Sequence, residues 1–341
     1  MDVPLFVWLL TIAGILALLV FDFYSHVRTP HEPTIRESAF WSAFYIALAI
    51  LFGVGVWVFG GGQAGGEYFA GWLTEKALSV DNLFVFLIIM TTFAVPKAFQ
   101  QKVLLVGVAI ALVARGGFIA AGVAIIDNFS WVFYLFGALL FWLAWSQVKG
   151  GNEHDASEGD SRLIRILRRI IPTSKDYDGD RLTTRVDGKR LFTPMLLVMV
   201  SIGLTDVLFA LDSIPAIFGL TQDAFIVFTA NAFSLLGLRQ LYFLIAGLLE
   251  KLIYLGQGLA VILAFIGVKL VFHAMHVNEL PFINGGQHIE WAPEIPIWFS
   301  LGFILLTITV ATIASLVVSK KRQERGLTPT GEPTTAEADA K

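Results

Sequence analysis

Residues 73–81 read LTEKALSVD and residues 204–212 read LTDVLFALD. Each gives Leu-Thr, an acid, five residues and then Asp, at an offset of 131 positions. The surroundings are strongly apolar: GEYFAGWL runs into the first stretch and LFVFLIIM leaves it. A charge near the centre of a bilayer costs about 2.5–3.5 kcal/mol on the insertion scale. Acids recurring at matched positions in such segments therefore need a reason.

The match extends outward. YLFGALLFWLAWSQVK (134–149) and YLGQGLAVILAFIGVK (254–269) share seven of sixteen positions and both end in Val-Lys. Between them, ARGGFIA and LRQLYFLIA share an arginine followed by Ile-Ala. The chain as a whole has 341 residues, is 56% hydrophobic and 15% charged, and has a mean hydropathy of +0.72. That is membrane composition rather than soluble-domain composition. Formal net charge is −3, which gives no footprint for nucleic acid, and the absence of cysteine excludes disulfides, thiol redox chemistry and thiolate metal sites.

With about 20 apolar residues needed per crossing, the sequence predicts an all-α membrane protein of about nine spans. These are roughly 4–24, 39–60, 67–95, 103–124, 129–149, 193–219, 223–248, 252–275 and 295–318. Twenty of the 24 basic residues fall in alternate connections; Lys76, Arg115, Arg239 and Lys269 lie within spans. Connections 61–66, 125–128, 220–222 and 276–294 hold no Lys or Arg. The positive-inside bias then predicts an outer N-terminus and a cytoplasmic C-terminus.

The organisation expected is a two-helix segment (1–66), a three-helix repeat (67–149), a basic cytoplasmic loop (150–192) and a second repeat (193–275). An outer loop with the last helix (276–318) and a disordered cytoplasmic tail (319–341) follow. Spans 3–5 recur as 6–8. Three is an odd number, so the second copy lies inverted, as in secondary transporters whose substrate sites sit at the repeat interface. In the loop, SRLIRILRRII reads as a basic amphipathic helix and Asp187-Gly188 as a hairpin turn. DYDGD (176–180) lacks the glycine and the glutamate of a calcium loop.

Glu75 and Asp81, like Asp206 and Asp212, are six residues apart, which puts them off a common helix face. Unwinding would let them converge, with Pro215 and, less strongly, Ser79 as cues. Asn82 and Ser213 follow the aspartates and add neutral oxygens. Four carboxylates, an amide and hydroxyls form an all-oxygen set suited to Mn²⁺, Ca²⁺ or Mg²⁺. The competing reading is structural: the carboxylates close ion pairs with Lys76, Arg115, Arg239 and Lys269. A mixed role has Arg115 and Arg239 holding the carboxylates until metal arrives. Asp22 reads as a capping or interfacial group. His273, His276, Glu279, His288, Glu290 and Glu294 offer two readings, a metal-attracting vestibule or, the preferred one, an ordinary polar outer loop.

EKALSVDNLFVF (75–86), FAVP (93–96), TDVLFALDSIPAIFGLT (205–221) and ANAFSLLGLRQLYFL (230–244) closely resemble the TerC/Alx family of integral membrane proteins. The resemblance covers roughly residues 1–275. The family takes its name from tellurium-resistance gene clusters, and some members are implicated in manganese efflux. It implies a multi-pass bacterial inner-membrane protein, not an enzyme and without a cofactor. Glu75, Asp81, Asn82, Asp206, Asp212 and Ser213 would form a path for exported Mn²⁺, with Arg115 and Arg239 as charge partners. The alternative is a membrane accessory or scaffold subunit in metal or tellurium stress, with no transport of its own. The partners expected are a divalent cation and the lipid bilayer.

Overall fold

The computed structural model describes residues 3–27, 33–129, 131–150, 173–174, 177–186, 189–249, 252–281, 283–289 and 291–324. Helix α1 (Leu5–Asp22) ends in a π-helical turn, Phe23–Val27. Helix α2 (Ile35–Thr92) is capped by Thr34, whose hydroxyl accepts from the Glu37 backbone N–H, with Glu37 in the first turn. Helices α3 (Lys97–Asn128) and α4 (Val132–Gly150) follow. Beyond the short strands β1 (Thr183–Val186) and β2 (Lys189–Phe192) come α5 (Pro194–Phe218), α6 (Ala224–Leu235) and α7 (Leu238–Leu249). Helices α8 (Leu255–His276) and α9 (Ile297–Glu324) complete the described chain.

As a straight rod, 58 residues of α2 would span about 87 Å, far more than one bilayer. The helix instead folds back at Gly61, whose φ of 86° and ψ of 172° are open only to glycine. Tyr68 Oη donates to the Ala49 carbonyl at 3.0 Å, and Gly65 lies against Trp57. The two arms are therefore antiparallel and in contact. A second break splits the segment expected as span seven. Gly237 has φ 80°, and a Cβ there would lie 2.7 Å from Tyr45 Cβ.

Among the described residues, seven helices are long and apolar enough to cross a membrane, and Val132–Val148 is a shorter apolar helix. The molecule is an all-α membrane protein. Large apolar side chains such as Leu9, Val58, Phe59, Val113 and Leu306 are exposed on it, a surface suited to lipid and not to water. Burial orders the helices: most of the apolar stretch in Ala224–Leu244 is buried and forms the centre, whereas little of that in Leu5–Ser25 is buried and it forms the rim.

Helices α4 and α8, the two carrying the Val-Lys match, pack antiparallel. Gly137 backs onto Gly267 and Val271, while Gly256 faces Gln147. Small residues at the crossing let the backbones approach.

Strands β1 and β2 pair antiparallel, with Val186 opposite Lys189, as the hairpin reading requires; Asp187 and Gly188 lie outside the described residues. This segment clasps the α2–α3 turn. Tyr177 donates to the Phe93 carbonyl at 2.8 Å, and Lys102 meets Asp180 at 2.7 Å. The Lys102 hydrogen bond holds the Asp180 carboxyl below the usual carboxylate range.

Two expectations need correction. The unwinding predicted between Glu75 and Asp81 and near Pro215 does not occur; both stretches are helical. Pro215 lies within one turn of the α5 C-terminus and forfeits a single ladder bond, and the Gly219 N–H still reaches the Pro215 carbonyl at 3.0 Å. The last helix also runs to Glu324, past the predicted start of the tail at 319. Lys321 and Arg322 in its final turn favour the helix C-terminus. The predicted amphipathic helix at 161–171 and residues 325–341 lie outside the described residues.

Candidate metal-ion site

The regular helices re-sort the predicted residues. In an α-helix, positions seven apart differ by about 20° and positions six apart by about 120°. Glu75 therefore shares a face of α2 with Asn82 and not with Asp81. Asp206 shares a face of α5 with Ser213 and not with Asp212. The two pairs are again offset by 131 positions. Each of the two matched stretches thus presents an acid and a neutral oxygen donor on one helical stripe.

Arg115 of α3 joins them. Its guanidinium is ion-paired with Glu75 Oε1. Nε and Nη2 donate to the two Asp206 carboxylate oxygens at 3.3 and 3.4 Å, a bidentate grip. Nη1 donates to Ser213 Oγ at 3.3 Å and to Asn231 Oδ1 at 3.2 Å. Four helices meet here: α2, α3, α5 and α6. All five residues are at most 2% exposed. A guanidinium offers only donors, so it fixes Asn231 with its carbonyl oxygen inward.

Unpartnered hydroxyls accompany the cluster. Thr74 and Thr205, each preceding the acid of its repeat, are buried without a hydrogen-bond partner, and so are Ser79 and Ser234. Buried polar atoms of this kind are uncommon. Lys76 points elsewhere, donating to the Ser234 carbonyl at 2.9 Å.

Of the predicted residues, Glu75, Asp206 and Ser213 come together on Arg115. Asn82 is buried on the Glu75 face, outside the set that grips the guanidinium. Asp81 and Asp212 belong to α2 and α5, but their side chains lie outside the described part of the structure. Arg239 departs from its expected role. It donates to Asp22 Oδ1 at 2.7 Å and Gln101 Oε1 at 2.6 Å, and Gln240 also donates to Asp22. Asp22, read as an interfacial cap, is a buried counter-ion at the junction of α1, α3 and α7. The reason is positional: Arg239 follows the Gly237 break, which turns α7 toward α1.

Asn231 was missed. Its signal was an amide in the centre of an apolar span, inside the quoted stretch ANAFSLLGLRQLYFL.

A buried acid–arginine cluster among apolar spans defines a polytopic membrane protein with a polar centre. The sequence profile of the integral membrane protein TerC family matches residues 61–323, and the chain belongs to that family. It is 52% identical over 324 residues to an uncharacterized membrane protein of Mycobacterium tuberculosis, covering 94% of this chain and 81% of the relative. It is 38% identical over 313 residues to an uncharacterized membrane protein of Myxococcus xanthus, covering 92% of each. It is also 40% identical over 305 residues to Alx of Escherichia coli, covering 87% and 91%; that protein's name describes it as a candidate membrane-bound redox modulator. No solved structure matches the chain.

Proposed function

We propose that this protein is a secondary transporter that exports a divalent metal cation, Mn²⁺ foremost, through an acidic midplane site between two inverted repeats. The observation that carries this reading is the Arg115 cluster. A tethered guanidinium lies in a dry oxygen cage to which both halves contribute, Glu75 from one and Asp206 with Ser213 from the other. A guanidinium and a divalent ion make similar demands: carboxylates for charge and neutral oxygens to complete the shell. On arrival of the cation, Arg115 yields the oxygens and moves its charge aside. Asn231 Oδ1 is then free to act as a ligand. Asn82 is a further oxygen donor on the Glu75 face, and Asp81 and Asp212 are assigned to the path from their matched positions in the sequence alone.

Nine crossings follow if α2 is counted as two spans at Gly61 and α6 with α7 as one. On that count the N-terminus lies outside and the C-terminus in the cytoplasm of a bacterial inner membrane. The test is flux in liposomes holding the purified chain alone. Mn²⁺ uptake lost in Glu75→Gln and Asp206→Asn, with both variants folded, supports the reading. Normal uptake in both variants sinks the site.

A second reading is an accessory subunit without transport of its own. The redox name of the Escherichia coli relative and the ordered cytoplasmic hairpin favour it. Absence of flux in the wild-type chain would select it.

A further inference from the structure

A cavity of about 570 Å³ lies away from the Arg115 cluster, bounded by the second arm of α2, the α5–α6 turn, the end of α8 and the segment before α9. All four segments adjoin connections that lack Lys and Arg, the face that the charge bias assigns to the outside. Five titratable side chains line it: Glu67 from α2, Lys269, His273 and His276 from α8, and Glu294 from the segment before α9. They face one another across elements. Lys269 feels the charge of Glu67, and His273 feels His276, Lys269 and Glu294.

The cluster is positioned. Both Glu67 oxygens are engaged, Oε1 by Gln63 at 2.6 Å and Oε2 by the Thr221 hydroxyl at 2.5 Å. The Gln222 side chain lies 2.6 Å from His273 Nε2, and the His273 ring meets Phe133 edge-on at 4.7 Å. His276 Nε2 is buried without a hydrogen-bond partner. Among the described residues, neither this cavity nor the Arg115 cluster brings together three or more carboxylates and imidazoles placed to hold a metal ion; here both Glu67 oxygens are already taken by neighbouring side chains. An ammonium group within the cluster also opposes cation capture. What remains is a cavity lined by carboxyl, imidazole and amino side chains, groups that can take up and release protons.

We infer that this cavity is the proton port of the transporter. The inference rests on the proposed export function and adds its energy source. A proton from outer water binds a ring nitrogen or the Glu67 carboxylate. Glu67 lies eight residues from Glu75 on one helix, about 12 Å along the axis. Added positive charge at that distance, through a low-dielectric interior, opposes return of the cation to the cage. The proton leaves on the cytoplasmic side as the carrier resets, so cation export runs against proton uptake.

The test uses the full chain in liposomes with two readouts. Mn²⁺ counterflow, measured without a pH gradient, reports the cation path alone. Net Mn²⁺ flux under a pH gradient, with a pH-sensitive dye, reports coupling. Wild type should show counterflow, proton movement opposite to Mn²⁺ and faster net flux under the gradient. Glu67→Gln, which keeps an oxygen for Gln63, and His273→Gln should keep counterflow and lose the acceleration. Retention of the acceleration in both variants overturns the port, as does their loss of counterflow, which would place them in the cation path. Wild-type net flux indifferent to pH overturns proton coupling while leaving export intact. Absence of wild-type counterflow fails the export function itself.

Discussion

Replacing Arg115 with methionine separates a cation surrogate from a structural ion pair. Methionine keeps the bulk of the side chain and deletes its charge. Glu75 and Asp206, both at most 2% exposed, then face each other uncompensated. Breaking a buried pair by removing one partner costs about 3–5 kcal/mol. If the cage also receives a divalent ion, Mn²⁺ can take over the role of Arg115. At a concentration 100 times its dissociation constant, a ligand that binds only the folded state contributes about 2.7 kcal/mol. Mn²⁺ should therefore restore half or more of the stability lost. It should stabilise the wild type less, because there it must first displace the guanidinium. The assay is thermal unfolding of the purified protein in detergent, with and without Mn²⁺. An Arg115→Met protein destabilised equally in both conditions would refute the surrogate role and leave Arg115 as a strut.

Arg239→Met should also destabilise the fold, but Mn²⁺ should not rescue it, since its partners are Asp22 and Gln101; adding Asp22→Asn should recover part of the loss in the same melt. Gly61→Ala should cost about 1–3 kcal/mol by forcing a side chain into glycine-only backbone space, read as a lower unfolding temperature, whereas Gly62→Ala should be mild. The clasp on the α2–α3 turn should depend on pH. The Asp180 carboxyl is depressed in the folded state, so its contribution is full above its ordinary value of 3.8 and is lost as pH falls through the lower folded value. Hydrogen exchange over residues 177–192 should stay slow down to about pH 4 and quicken below it, and Lys102→Ala should remove that dependence.

The apolar segments were legible because twenty-residue stretches have few alternatives in a membrane. The matched acids were legible because residues 73–81 and 204–212 share a short code around them. The fold-back within α2 was visible too, since GGGQAGG (60–66) marks a place where a helix can reverse. The pairing of charges was not legible. Arg115 and Arg239 stand in similar local sequences, yet one meets the acids and the other meets Asp22 of α1. Sequence spacing cannot rank partners that tertiary packing brings together. The six-residue spacing of the acids drew attention to unwinding, whereas the seven-residue spacing to Asn82 and Ser213 already fits an unbroken helix. Asn231 was hidden because a single amide carries no periodic signal.

The central claim is that the oxygens now gripping Arg115 are those that take the metal. A crystal of the wild-type chain soaked in Mn²⁺, measured for anomalous scattering, tests it most directly. One strong peak is expected within coordination distance of Glu75 and Asp206, with Asn231 or Ser213 completing the shell and the Arg115 guanidinium moved off the carboxylates. A peak elsewhere, or a fully occupied Mn²⁺ beside an unmoved Arg115, would contradict it.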